Sequence, residues 1–143
     1  MEESDPLGLP AHGSVAPAMS PHDGSSPGPL GQAWIVDAHG CDPSRLRDPD
    51  GLRALLDRIV EELRLMPVGG PLVHVFGGEG GVTAFLLLSE SHLAIHTFPE
   101  VGAATLDLYC CKPRPEYPWA ERLGEHLGAT KVTVSAFGRG GEL

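Results

Sequence analysis

Residues 71–110 read PLVHVFGGEGGVTAFLLLSESHLAIHTFPEVGAATLDLYC, and four runs inside them decide the fold. PLVHVF (71–76), VTAFLLLS (82–89), HLAIHTF (92–98) and ATLDLYC (104–110) are rich in β-branched or apolar residues and bounded by Gly or Pro. Four strands in quick succession leave no room for crossover helices, so they pair antiparallel. Upstream, AWIVDA (33–38) reads as a further strand. Between about residues 49 and 66, Leu52, Leu55, Leu56, Ile59, Val60 and Leu63 recur at helical spacing, with Asp50 in the first turn and Gly69-Gly70-Pro71 as the stop. Downstream, Trp119, Leu123 and Leu127 predict a helix over 117–128, and KVTVSAF (131–137) closes the chain as a strand. The order β-α-β-β-β-β-α-β gives an α+β fold: a two-layer sandwich, one largely antiparallel sheet with helices packed on one face.

The 143 residues hold one domain and a tail. Residues 1–30 contain six Pro, four Gly and five Ser, no Lys or Arg, and almost no periodic apolar residues. Such a segment buries too little apolar surface to offset its ordering entropy, so it reads as a disordered leader ahead of a globular body over 31–143. Ten Lys+Arg against nineteen Asp+Glu leave a net charge of −9, which repels phosphate backbones and anionic lipid. Nucleic acid and membrane are therefore not expected as partners. With no apolar run of membrane-spanning length and no signal-peptide pattern, a cytoplasmic protein is expected. Cys41, Cys110 and Cys111 show no CxxC spacing and should be reduced thiols.

The chemistry concentrates in LSESHLAIHTFPE (88–100). On a strand, His92, Ala94 and His96 share one face while Leu93, Ile95 and Thr97 share the other, with the Glu90-Ser91 junction in the connection before it. A serine hydroxyl near two imidazoles outlines a nucleophile and its bases. By composition alone these side chains are as readily solvated or satisfied by backbone. His92 and His96 with Glu90 or Glu100 would also make a metal set, although the i, i+4 histidine pair is diagnostic on helices rather than strands. A Ser-His-Asp hydrolase would need Asp107, and no G-x-S-x-G elbow surrounds Ser91.

SESHLAIHTFPE (89–100), followed by Leu106-Asp107-Leu108 and Cys111, resembles the self-processing segment of the prokaryotic S-adenosylmethionine decarboxylases. The similarity extends more weakly over most of 31–143, through Gly31 to Cys41-Asp42, His74-Val-Phe76 and Gly81-Val82-Thr83. The resemblance implies an inactive proenzyme in which the Ser91 hydroxyl attacks the Glu90 carbonyl, converting amide to ester. Elimination then leaves a chain ending at Glu90 and a second chain whose first residue, formerly Ser91, is a pyruvoyl cofactor. It also implies roles: His96 manages the proton during cleavage, and Cys111 donates a proton during decarboxylation. Thr83 stands where the family has a processing serine. Glu100 would bind the ribose hydroxyls, and Phe76 would stack on adenine across a loop one residue longer. Phe98 reads as core.

Ala33 and Asp37 stand where the family is expected to show His and Glu. A carboxylate at Asp37 would still face a cationic substrate, whether a sulfonium or a different amine. The expected activity is therefore pyruvoyl-dependent decarboxylation of S-adenosylmethionine for spermidine synthesis. The alternatives are ornithine or arginine as substrate, or a non-catalytic homologue that binds a partner. A homodimer of processed units, with active sites near the interface, is expected for so small a body.

Overall fold

A computed structural model of the chain describes residues 26–141, so the expected leader lies outside the described residues up to residue 25. Six strands form one sheet: β1 (Gly31–His39), β2 (Leu72–Val75), β3 (Val82–Leu88), β4 (Ser91–Phe98), β5 (Ala103–Cys110) and β6 (Lys131–Arg139). Their order is β2-β3-β4-β5-β1-β6, and every neighbouring pair is antiparallel. Helices α1 (Pro43–Leu46), α2 (Pro49–Leu63) and α3 (Trp119–Leu127) complete the α+β sandwich expected from the sequence. Two short pieces escaped the periodicity argument: α1 and a 3₁₀ turn over Pro99–Val101 are each shorter than one apolar repeat.

Helix α2 starts where Asp48 accepts a hydrogen bond from the Asp50 N–H and Pro49 takes the first helical position. It ends at Arg64, whose left-handed backbone (φ 56°) turns the chain out of the helix. Leu52, Leu55, Leu56, Ile59 and Leu63 are buried along its inner stripe, each worth on the order of 2 kcal/mol of apolar burial. They meet Trp34, Val36, Ala38, Ala84, Leu86, Leu93, Ile95, Leu106 and Leu108, the inward-facing residues of the sheet. Glu62 on α2 clamps α3, accepting from Arg122 Nε at 2.9 Å and from the Tyr117 hydroxyl at 2.7 Å. Among the described residues no helix is long and apolar enough to cross a membrane.

Among the described residues no helix covers the opposite sheet face, and its residues include Ile35, Leu72, Phe85, Leu87 and Phe98, all exposed. Phe98 was expected in the core from its hydrophobicity. Strand alternation instead puts it on this open face beside His96, 40% exposed.

Candidate active site

Cross-strand register assembles one half of the site. His74 opposes Thr83, Thr83 opposes His96, His96 opposes Thr105, and Thr105 opposes Asp37. Since directly opposed residues share a face, these five side chains form a polar row across the open face. Thr83 Oγ1 lies 3.0 Å from His96 Nδ1, which fixes the ring and leaves Nε2 free for other chemistry. Asp37 is buried to 8% exposure despite facing that side, two strands or about 10 Å from His96. Phe76 continues β2 past its end and meets His74 edge-on at 4.5 Å between ring centroids. Glu100 lies in the 3₁₀ turn that follows β4, exposed at the same end of the sheet.

That end is held by Thr97 from the inward face. Its hydroxyl donates to the Leu46 carbonyl at 2.7 Å and accepts from the Val82 N–H at 2.8 Å, tying β3, β4 and α1 together. Gly81 makes the approach possible, because a Cβ there would strike the Thr97 carbonyl oxygen.

The other half gathers around the two-residue turn between β3 and β4. Ser89 N–H donates to the Met66 carbonyl at 2.8 Å, and Cys111 N–H donates to the Glu90 carbonyl at 3.1 Å. Lys112 Nζ lies 3.3 Å from the Glu90 carboxylate. The Glu90-Ser91 peptide is thus gripped from both sides, with its carbonyl oxygen on a backbone donor. Ser91 is already the first residue of β4, paired with Cys110 rather than standing in a loop. Cys110 is buried and Cys111 exposed, the alternation expected of adjacent strand residues. Burial pushes the Cys110 thiol up, while Arg114 and Ser91 beside it pull the other way.

One expectation changes. His96 does not converge on Ser91 within the chain: four strand residues lie between them, setting them about 16 Å apart, and they face opposite sides of the sheet. His92 stacks between Phe85 and Tyr109, at 5.9 Å and 5.8 Å between centroids. Among the described residues no group of three or more His, Cys, Asp or Glu is placed to hold a metal ion. Sequence reasoning missed Tyr109 and Lys112. Tyr109 was accessible in principle, since a residue two before Cys111 on a strand shares its face.

The arrangement has known counterparts. The family model described as S-adenosylmethionine decarboxylase matches residues 32–140. A Clostridium tetani protein named S-adenosylmethionine decarboxylase proenzyme is 34% identical over 116 residues, covering 78% of this chain and 87% of that one. An Ignicoccus hospitalis protein named arginine decarboxylase proenzyme is 37% identical over 90 residues, covering 63% of this chain and 62% of its own. The crystal structure of the adenosylmethionine decarboxylase from Aquifex aeolicus superposes with a TM-score of 0.67 and 26% identity, over 81% of this chain and 95% of that one. With a gripped serine turn, a Thr-His pair across the sheet and a family match spanning nearly the whole described body, the chain belongs to the S-adenosylmethionine decarboxylase family.

Proposed function

We propose that this protein is a self-cleaving, pyruvoyl-dependent decarboxylase of S-adenosylmethionine, and the hydrogen bond from Cys111 N–H to the Glu90 carbonyl carries the reading. An amide carbonyl held by a fixed donor is polarised for attack, and the oxyanion that attack creates finds its partner in place. Ser91 Oγ adds to the Glu90 carbonyl carbon, the C–N bond breaks, and an ester replaces the amide. Loss of the residue 91 Cα proton expels the new main-chain carboxylate of Glu90, whose side-chain carboxylate is already paired with Lys112. Water then converts residue 91 to its keto form with release of ammonia. The residues present fit this group: the hydroxyl and the bonded carbonyl are neighbours at one turn, and no external cofactor is called for.

A proton-transfer group must lie within hydrogen-bond reach of its target, and His96 is far from Ser91 in its own chain. The open face, with its exposed apolar residues, suits a second copy of this chain. Cys111 lies on that face beside Tyr109 and its N–H holds the Glu90 carbonyl, so a two-fold arrangement supplies the Glu90–Cys111 half from one protomer and the Thr83–His96 half, with Glu100 and Phe76, from the other. The pyruvoyl group supplies an electron sink for a substrate amine that loses CO₂. Cys111 then holds the proton that the product carbon needs, Glu100 accepts from ribose hydroxyls, Phe76 offers a face to adenine, and Asp37 faces the cationic end of the substrate.

A second substrate reading is favoured by the short carboxylate at Asp37 and by the Ignicoccus relative: a basic amino acid such as arginine or ornithine on the same scaffold. Intact mass decides the chemistry. Two chains meeting at 90/91, the second carrying a hydride-reducible carbonyl, support the reading, and a single 15.1 kDa chain after prolonged incubation overturns it. Release of labelled CO₂ from S-adenosylmethionine, arginine and ornithine then separates the substrates.

A further inference from the structure

Cys111 is not a free-standing thiol. Its Sγ donates to the Tyr109 hydroxyl oxygen at 3.6 Å, and that hydroxyl donates to the Leu30 carbonyl at 2.6 Å. The phenol's one proton is therefore spent on Leu30, which leaves its lone pairs facing the thiol. Each anchor of this chain is itself anchored. Leu30 N–H donates to the Arg139 carbonyl at 3.0 Å, and the turn carrying Leu30 is closed by reciprocal bonds between Gly28 and Gly31, at 2.9 Å and 3.2 Å. Gly31 sits there at φ 128°, where a Cβ would strike the Cys110 carbonyl, so this turn can lie against the end of β5 only with glycine. The Arg139 guanidinium stands 5.4 Å above the Tyr109 ring, and His92 packs against the ring 5.8 Å away.

We propose that Tyr109 is the positioning residue for the Cys111 thiol, aiming its proton and then holding the thiolate that proton transfer leaves. The inference rests on the proposed role of Cys111 as the proton donor. When the S–H bond breaks, the proton forms a C–H bond on the product and the electron pair stays on sulfur. The phenol O–H then turns from the Leu30 carbonyl to the sulfur, under the charge of Arg139, until solvent restores the thiol. One hydroxyl thus serves both states, as acceptor from the thiol and donor to the thiolate. A hydrogen bond in which the phenol donates to the Cys111 sulfur, together with desolvation, holds the phenol above its ordinary range, so it keeps the proton this task requires. The turn at residues 28–31, just ahead of β1, becomes part of the active site's support.

Tyr109→Phe removes one oxygen and keeps the ring that Arg139 and His92 pack against. Two readouts test it. In the uncleavable Ser91→Ala background, the alkylation rate of Cys111 by iodoacetamide, followed by peptide mass, should fall about fivefold, because the thiolate loses the hydrogen bond that stabilises it. In the cleavable chain, Tyr109→Phe should cleave completely, since the Glu90 carbonyl is held by backbone. Its KM should stay within about twofold while kcat drops about tenfold, the loss of one oriented hydrogen bond. Cys111→Ala should cost about a hundredfold or more, and the double variant no more than Cys111→Ala alone. Unchanged alkylation and kcat in Tyr109→Phe, beside an inactive Cys111→Ala, overturn the positioning role and leave the thiol's role standing. Full turnover in Cys111→Ala overturns that role itself. Independent, multiplying losses in the double variant overturn the coupling between the two residues.

Discussion

The amide of Cys111 and the carbonyl of Glu90 are joined by a 3.1 Å hydrogen bond, so the residue whose thiol is proposed to serve turnover also holds, through its backbone, the bond proposed to break. Side chain and main chain can be separated by substitution. Cys111→Ala keeps the N–H and removes the thiol: cleavage should run to completion while turnover falls about a hundredfold. Ser91→Ala should give no cleavage at all. Denaturing gels and intact mass check both.

Because His96 sits about 16 Å along β4 from Ser91, cleavage of one protomer should depend on the other's imidazole. Ser91→Ala and His96→Ala chains, each uncut alone, should cleave when co-expressed. The cut chain should be the one that carries His96→Ala. Distinct affinity tags on the two chains show which one splits.

Thr83 holds His96 through Nδ1 at 3.0 Å. Thr83→Val preserves shape but removes the hydroxyl, and should slow cleavage about fivefold through loss of ring orientation, a cost of roughly 1 kcal/mol. Thr83→Ser should cleave at least as fast as the parent. Time courses from a translation system without cells measure the three rates.

Glu62 is held down to about 2 by hydrogen bonds from Arg122 and Tyr117, against an ordinary value of 4.5. A depressed acid stabilises the fold at pH values above its unfolded value. That contribution fades as pH falls from about 4.5 toward 2. Glu62→Gln should therefore melt lower than the parent at neutral pH, with the gap closing through that window. Calorimetric melts between pH 7 and pH 2.5 follow it.

Thr97→Val removes a buried hydroxyl that donates to the Leu46 carbonyl and accepts from the Val82 N–H. Two buried backbone groups lose their partner, at a cost of about 1–3 kcal/mol. Urea denaturation of the Ser91→Ala precursor isolates this loss from any effect on cleavage.

The sheet was legible because its strands obey a period of two with Gly or Pro between them, and α2 because five inward residues follow the helical period. The serine turn, Thr83, His96 and Cys111 were legible as residues, from one contiguous segment and its neighbours. What stayed hidden was which of them meet. Sequence adjacency put Ser91 and His96 in one group, whereas strand rise and alternation set them on opposite faces at opposite ends. Asp37 lies in the row of His96 only because β1 threads beside β5, a long-range register that no local pattern records. Tyr109 reads locally as one more apolar strand residue. Its hydroxyl gains meaning from Leu30, 79 residues earlier in the chain.

A cut between residues 90 and 91 would leave β1, β2 and β3 on one piece and β4, β5 and β6 on the other, yet the sheet order sets β1 between β5 and β6 and β4 between β3 and β5. The two pieces interleave like fingers. Neither can leave without tearing three rows of backbone hydrogen bonds, β3 to β4, β5 to β1 and β1 to β6, out of the sheet. Maturation would therefore change the covalent map without loosening the molecule. The fragments should migrate as one species in native conditions, and once pulled apart by denaturant they should reassemble poorly, because the uncut chain alone carries the connection under which the sheet first formed.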